Sequence, residues 1–172
     1  MSTEKPLVNR IAKSGLITFK LEDHLPKEEI VFFDLKDYLF KELILREKDF
    51  REALKEHDWS VYQNKILLVH CSTDAIIPVW AYMLVASYAT PYATEVFQGS
   101  KDEFLIRHFS KVIDRIDRAE YEDALLVIKG CSDKPVPLTA YVMITEKLRP
   151  VARSIMFGEP CSTVPIYKRS RK

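Results

Sequence analysis

Cys71, Cys131 and Cys161 are the residues best equipped for chemistry, and serine follows each of them: Cys71-Ser72-Thr73, Cys131-Ser132-Asp133 and Cys161-Ser162-Thr163. The thiolate is the form that binds metal or attacks, and a helix N-terminus favours it. Cys71 and Cys131 each precede a segment that reads as a helix. Three thiolates suit zinc, which adds a fourth ligand or water. An iron–sulfur cluster also takes thiolates, usually four. The first expectation is therefore a metal-binding protein with Cys71, Cys131 and Cys161 as ligands, and zinc is the first choice over an iron–sulfur cluster. Asp74, Asp102, Asp133 and His24 are candidates for the fourth position. His70 adjoins Cys71 but points the other way on an extended chain. Two alternatives stand beside this one. A single cysteine could act as the nucleophile of a thiol-dependent enzyme. Or the thiols are small buried residues, and the chain is a non-catalytic protein-interaction domain marked by an exposed apolar patch.

The elements that must position these thiols are legible from residue 65 onward. Ile66-Leu67-Leu68-Val69 and Leu125-Leu126-Val127-Ile128 are short continuous apolar runs, as buried parallel strands require. Glu95-Val96-Phe97 and Ser154-Ile155-Met156-Phe157 read as further strands. Pro78 and Pro137 suit the first turns of helices reaching about Thr90 and Leu148. Residues 101–117 form another helical pattern, with Leu105, Phe109, Val112 and Ile116 on one stripe. Before them, Leu16 to Leu21 alternates like a strand, Ile30 to Phe33 is a short apolar run, and Glu47 to His57 has helical spacing.

Part of this pattern occurs twice. Cys71, Pro78, Ala81-Tyr82, Pro91 and Gly99 match Cys131, Pro137, Ala140-Tyr141, Pro150 and Gly158, with one residue of slip between Cys and Pro. Each copy is a strand–turn–helix–strand unit. The expected fold is an open, mostly parallel α/β sheet with helices on both faces. In a four-stranded sheet of order 2-1-3-4, all three cysteines would lie on its carboxyl edge, where such folds bind ligands. The whole of residues 1–172 is read as one domain: an N-terminal extension over 1–60, the repeated core over 65–167 and a basic tail over 168–172.

The remaining residues exclude more than they suggest. Four glycines, Gly15, Gly99, Gly130 and Gly158, are too scattered for a phosphate loop or dinucleotide fingerprint. A net charge of +1 gives no strong nucleic-acid signal, and the basic tail reads as a solvated terminus. No run approaches the ~18 apolar residues of a membrane span, and the polar N-terminus has no apolar leader, so a cytoplasmic protein is expected. His57 reads as a helix-terminal residue and His108 as solvent-facing. Lys134 and Arg153 could meet an anion near the carboxyl edge, and Trp80, Tyr82, Met83, Tyr141 and Met143 read as core.

Four segments resemble a known family: Ser14-Gly15-Leu16-Ile17, Leu43 to Arg51, Gly130 to Pro137, and Ser154 to Pro165. They are similar to the uncharacterised bacterial family catalogued as domain of unknown function 2480, and the resemblance covers nearly the whole chain. No activity is assigned to that family. The resemblance implies a setting, since genes of the family often lie near those for sulfur mobilisation and iron–sulfur assembly. A protein of that assembly would then be a partner.

Overall fold

A computed structural model describes residues 15–130, 134–159 and 162–170. In chain order its elements are β1 (Leu16–Phe19), β2 (Ile30–Asp34), the short strands β3 (Leu39–Phe40) and β4 (Ile44–Leu45), and α1 (Glu47–Glu56). Then come β5 (Ile66–His70), α2 (Val79–Ala89), β6 (Glu95–Gln98), α3 (Lys101–Asp114) and β7 (Leu125–Ile128). The last are α4 (Leu138–Leu148), β8 (Ser154–Glu159) and β9 (Ser162–Lys168). Among the described residues, no helix is long and apolar enough to cross a membrane.

The α/β class and the mostly parallel, open sheets are as expected, but the single sheet is not. The strands form one sheet of order β1-β7-β8-β9, another of order β2-β5-β6, and the small β3-β4 ladder. The two copies of the repeat therefore lie in different sheets. Each copy completes its sheet with a strand from the N-terminal third. β2 pairs parallel with β5, and β1 pairs parallel with β7, Phe19 opposite Ile128. The chain divides accordingly into two compact units. A host unit comprises Met1–Leu25 and Leu105–Lys172, and an inserted unit comprises Pro26–Phe104.

Strand order also decides where the helices go. In each sheet the parallel strands run in one direction without reversal, so successive right-handed crossovers land on the same face. In the inserted unit, α1 and α2 share a core with Phe33, Leu67 and Val69 through Phe50, Leu54, Ala81 and Val85. In the host unit, α3 and α4 share one with Leu126, Ile128 and Ile155 through Phe109, Ile113, Ala140 and Ile144. Neither order reverses, so neither sheet has the switch-point crevice of a doubly wound fold.

The duplication runs deeper than the Cys–Pro–Gly pattern. Phe19-Lys20-Leu21-Glu22-Asp23-His24-Leu25 matches Phe33-Asp34-Leu35-Lys36-Asp37-Tyr38-Leu39. In both, the sixth ring stacks on the phenylalanine: His24 on Phe19 at 5.2 Å, and Tyr38 on Phe33 at 5.1 Å. Further on, Phe50, Leu54, Asp58 and Tyr62 correspond to Phe109, Ile113, Asp117 and Tyr121. Asp58 and Asp117 each cap a single 3-10 turn, accepting from the N–H two residues on. Each unit is thus one copy of a five-element motif, strand–helix–strand–helix–strand. The host unit adds β9, antiparallel to β8.

The sequence pattern places no strand after Ser154–Phe157, and β9 adds one. Pro165 argues against a central strand, but an edge strand tolerates proline because its outward N–H need not be paired. β9 is such an edge.

The β3–β4 turn stores local strain. Leu43 N–H donates to Phe40 O, and the two residues between them, Lys41 and Glu42, have φ of 53° and 59°. This geometry favours Asn-Gly, because a Cβ at positive φ costs about 1–2 kcal/mol per residue. Glu42→Gly is expected to stabilise the protein by roughly 1 kcal/mol, read as an upward shift of the urea midpoint at unchanged slope. An unchanged midpoint would show that the turn is not strained.

Candidate binding groove in the host unit

Cys71 lies just past the end of β5 in the inserted unit, whereas Cys131 and Cys161 lie outside the described residues. The strands preceding those two cysteines, β7 and β8, belong to the other sheet. The premise that one sheet edge gathers all three thiols therefore fails. Among the described residues, no group of three or more His, Cys, Asp or Glu side chains is arranged to hold a metal ion. The metal-binding reading is corrected on that ground.

The surroundings of Cys71 are those of a strand-end residue. Its half-buried Sγ lies 3.2 Å from Thr73 Oγ1. The His70 ring instead packs edge-on against Phe32 at 5.4 Å, as alternation along an extended strand requires. Asp34, opposite His70 in the ladder, accepts from the N–H groups of Lys36 and Ser72, each at 3.0 Å. Burial works to raise its carboxyl, but hydrogen bonds from Ser72 and Lys36 and the charge of His70 hold it below its usual value. Among the described residues, no imidazole or carboxylate is hydrogen-bonded to the thiol.

The histidine candidates are absorbed into packing, whereas Asp74 and Asp102 are exposed, Asp133 lies outside the described residues, and Met83, expected in the core, is 67% exposed. His24 stacks on Phe19, and its carbonyl accepts from His108 Nε2 at 2.8 Å, so His108 is tied down and half-buried. His57 ends α1, as expected, with its ring 3.0 Å from Tyr62 Oη and 3.5 Å from Tyr38 Oη. Arg153 lies at the amino end of β8, not the carboxyl edge, and pairs with Asp123. At the carboxyl end of the host sheet, Lys129 donates to Glu22 at 2.7 Å, and that bond, with Glu22, Glu159 and Asp23 nearby, raises the Lys129 pKa.

The feature these candidates did not point to is an apolar groove beside α4. Ile128, Tyr141, Val142, Phe157 and Ile166 form its walls, and it encloses about 620 Å³. It exists because β9 extends the sheet one strand past β8, and among the described residues no helix follows to cover it. Gly130 helps to shape it. A Cβ there would come within 2.5 Å of the Phe157 ring, so only glycine lets that ring lie across the end of β7. Tyr141 meets Phe157 edge-on at 5.8 Å.

The groove continues onto the surface through exposed apolar side chains. Leu138 is 83% exposed, Val142 66%, Val164 58% and Ile166 51%. Leu138, Val142 and Glu146 follow at intervals of four and mark one stripe of α4, with Arg149 one turn further. Glu146 and Arg149 supply the charges of the lining, one of each sign. The Arg149 guanidinium lies over the Tyr167 ring at 4.8 Å. The corresponding stripe of α2 begins with Val79 and Met83 and holds no charged residue, but among the described residues the inserted sheet ends at β6, with no strand equivalent to β9.

Fold and site together define a duplicated open α/β protein with an apolar groove on its four-stranded sheet. The chain belongs to the family described as protein of unknown function (DUF2480), whose model matches residues 5–169. No curated protein and no solved structure matches it.

Proposed function

We propose that the protein is a non-catalytic binding module, and that its groove takes one amphipathic helix of a partner protein. The observation that carries this is the lining of the groove, which is mostly apolar, with Thr145 and the charged Glu146 and Arg149 as its polar members besides the Tyr141 hydroxyl. The groove adjoins α4 in the layer that α3 and α4 already occupy, and helices pack side by side at 8–10 Å. A strand is the poorer occupant, because Pro165 interrupts the donors of the β9 edge. Glu146 and Arg149 select a helix whose apolar stripe is flanked by a base and an acid about one turn apart.

The probe is a labelled model peptide of about five helical turns, with leucines at i, i+4 and i+7 and lysine and glutamate flanking them. A scrambled peptide of the same composition is the control. Fluorescence anisotropy should show the patterned peptide binding at least ~10-fold more tightly than the scrambled one, with Val142→Glu erasing the difference by placing a charge in the groove. Equal binding of the two peptides overturns the proposal. So does a stable dimer that Val142→Glu dissociates in sedimentation, since the groove would then belong to a second copy of the chain.

A further inference from the structure

The other face of the host sheet carries a separate concavity of about 700 Å³. Leu125, Ser154 and Met156 alternate with the residues that face α3 and α4, so they look to the opposite side. Leu125, Met156 and Pro165 give this concavity an apolar floor, and Arg153, Lys168, Arg169 and Asp123 line its charged end. Three cations against one carboxylate leave two positive charges.

The guanidinium groups are fixed in place. Arg153 donates to Asp123 Oδ2 through Nη2 and, at 3.1 Å, through Nε. Arg169 reaches Asp123 Oδ1 through Nη1 at 3.4 Å and donates through Nη2 to the Val151 carbonyl at 2.6 Å. Its backbone N–H donates to Arg153 O at 2.8 Å. Each guanidinium has five N–H groups, so these contacts leave donors over. Among the described residues, Lys168 makes no ion pair.

The inserted unit serves as an internal control, because it closes the same turn without these charges. Asn64 stands where Asp123 stands, with φ of 60° and 54°. Their N–H groups donate to the Tyr92 and Val151 carbonyls at 3.1 and 3.0 Å. Thr94 replaces Arg153, and their N–H groups donate to Lys65 O and Ala124 O at 2.8 and 2.9 Å. Closing the turn therefore does not require the carboxylate or the guanidinium groups.

We propose that this concavity binds a small phosphomonoester with a flat apolar body, the phosphate held by Arg153, Arg169 and Lys168 and the body lying on Leu125, Met156 and Pro165. A phosphate dianion matches the two uncompensated charges, and fork-shaped guanidinium donors match its oxygens. The volume lies in the range of ordinary small-molecule sites. This inference does not depend on the helix groove, which lies on the other face of the sheet.

Isothermal titration of the full chain with 2-naphthyl phosphate, inorganic phosphate, 2-naphthoate and 2-naphthol tests it. Naphthyl phosphate should bind at least ~10-fold more tightly than each of the other three. Lys168→Gln breaks no ion pair of the fold and should weaken naphthyl phosphate about 5- to 10-fold. Met156→Ser should weaken naphthyl phosphate while leaving inorganic phosphate unchanged. Equal affinity for inorganic phosphate overturns the proposal by reducing the site to surface charge, and equal affinity for naphthoate overturns the choice of phosphate. Binding of an oligonucleotide alone, with a steep salt dependence, overturns it in favour of a nucleic-acid backbone.

Discussion

Phe109→Ala is expected to lower the unfolding free energy by about 3–5 kcal/mol, and Phe50→Ala by a similar amount. The two phenylalanines are equivalent residues of the duplicated motif, 0% and 1% exposed respectively. Phe109 lies in the host core with Ile113, Leu126 and Ile144. Phe50 lies in the inserted core with Leu54, Leu67 and Val85, and its ring meets Tyr38 edge-on at 5.4 Å. Truncation removes transfer energy and leaves a cavity that close-packed neighbours cannot fully collapse. The cost is a large share of the 5–15 kcal/mol that holds a typical domain together. Urea titration followed by circular dichroism reads the loss. A cost below ~1 kcal/mol at either site would contradict the assignment of that phenylalanine to a packed core. Closely similar costs at both sites would show that the duplicated motif has kept its energetic design as well as its pattern.

Gly158→Ala should cost about 3 kcal/mol and impair the groove as well. Gly158 has φ of +124°, a conformation that side chains rarely adopt, and a Cβ there would come within 2.5 Å of the Ser162 carbonyl oxygen. That oxygen is backbone, so relief requires β9 to move away from β8. Gly158 is paired with Thr163, one residue from the Phe157–Val164 pair. Displacing β9 carries Val164 and Ile166 away from Phe157 and opens one wall of the groove. The variant should therefore lose both stability and patterned-peptide binding. Stability within ~0.5 kcal/mol of the parent would show that the β8–β9 reversal tolerates a side chain. Intact stability and intact binding together would remove β9 from the account of the groove.

Much of the fold was legible because it is written in local patterns. The apolar runs Ile66 to Val69 and Leu125 to Ile128 are buried parallel strands, as their composition requires. Pro78 and Pro137 stand immediately before α2 and α4, where a missing N–H costs nothing. The repeat was visible from Cys71 onward. Its N-terminal part was harder to see, because the two Phe-x-Leu-x-Asp segments lie only fourteen residues apart while the later copies lie fifty-nine apart. A change of spacing within one repeat hides an insertion. The shared Phe, Leu, Asp and Leu positions were the signal that would have found it.

The site was less legible. The cysteines drew attention by residue type, but metal ligation depends on distance, and distance depended on which strands share a sheet. The groove carries no motif, since its walls come from β7, α4, β8 and β9 and are ordinary core residue types. Only its exposure distinguishes it. Val142 and Ile144 are both β-branched apolar residues on one helix, yet Val142 is 66% exposed and Ile144 is fully buried.

The sequence by itself determined the local elements, the α/β class, the duplication and the family, because each of these rests on short-range periodicity or on residue identity. Tertiary structure alone decided that the strands divide between two sheets, that Cys71 follows a strand of one while Cys131 and Cys161 follow strands of the other, and that β9 leaves an apolar groove beside α4. Those outcomes depend on pairing between segments as far apart as β1 and β7, with the whole inserted unit between them in the chain. Apolar strands carry no label for their partner. The choice is made by the joint burial of Phe19, Leu126, Ile128 and Ile155 under α3 and α4, a free energy that exists only once the core has assembled.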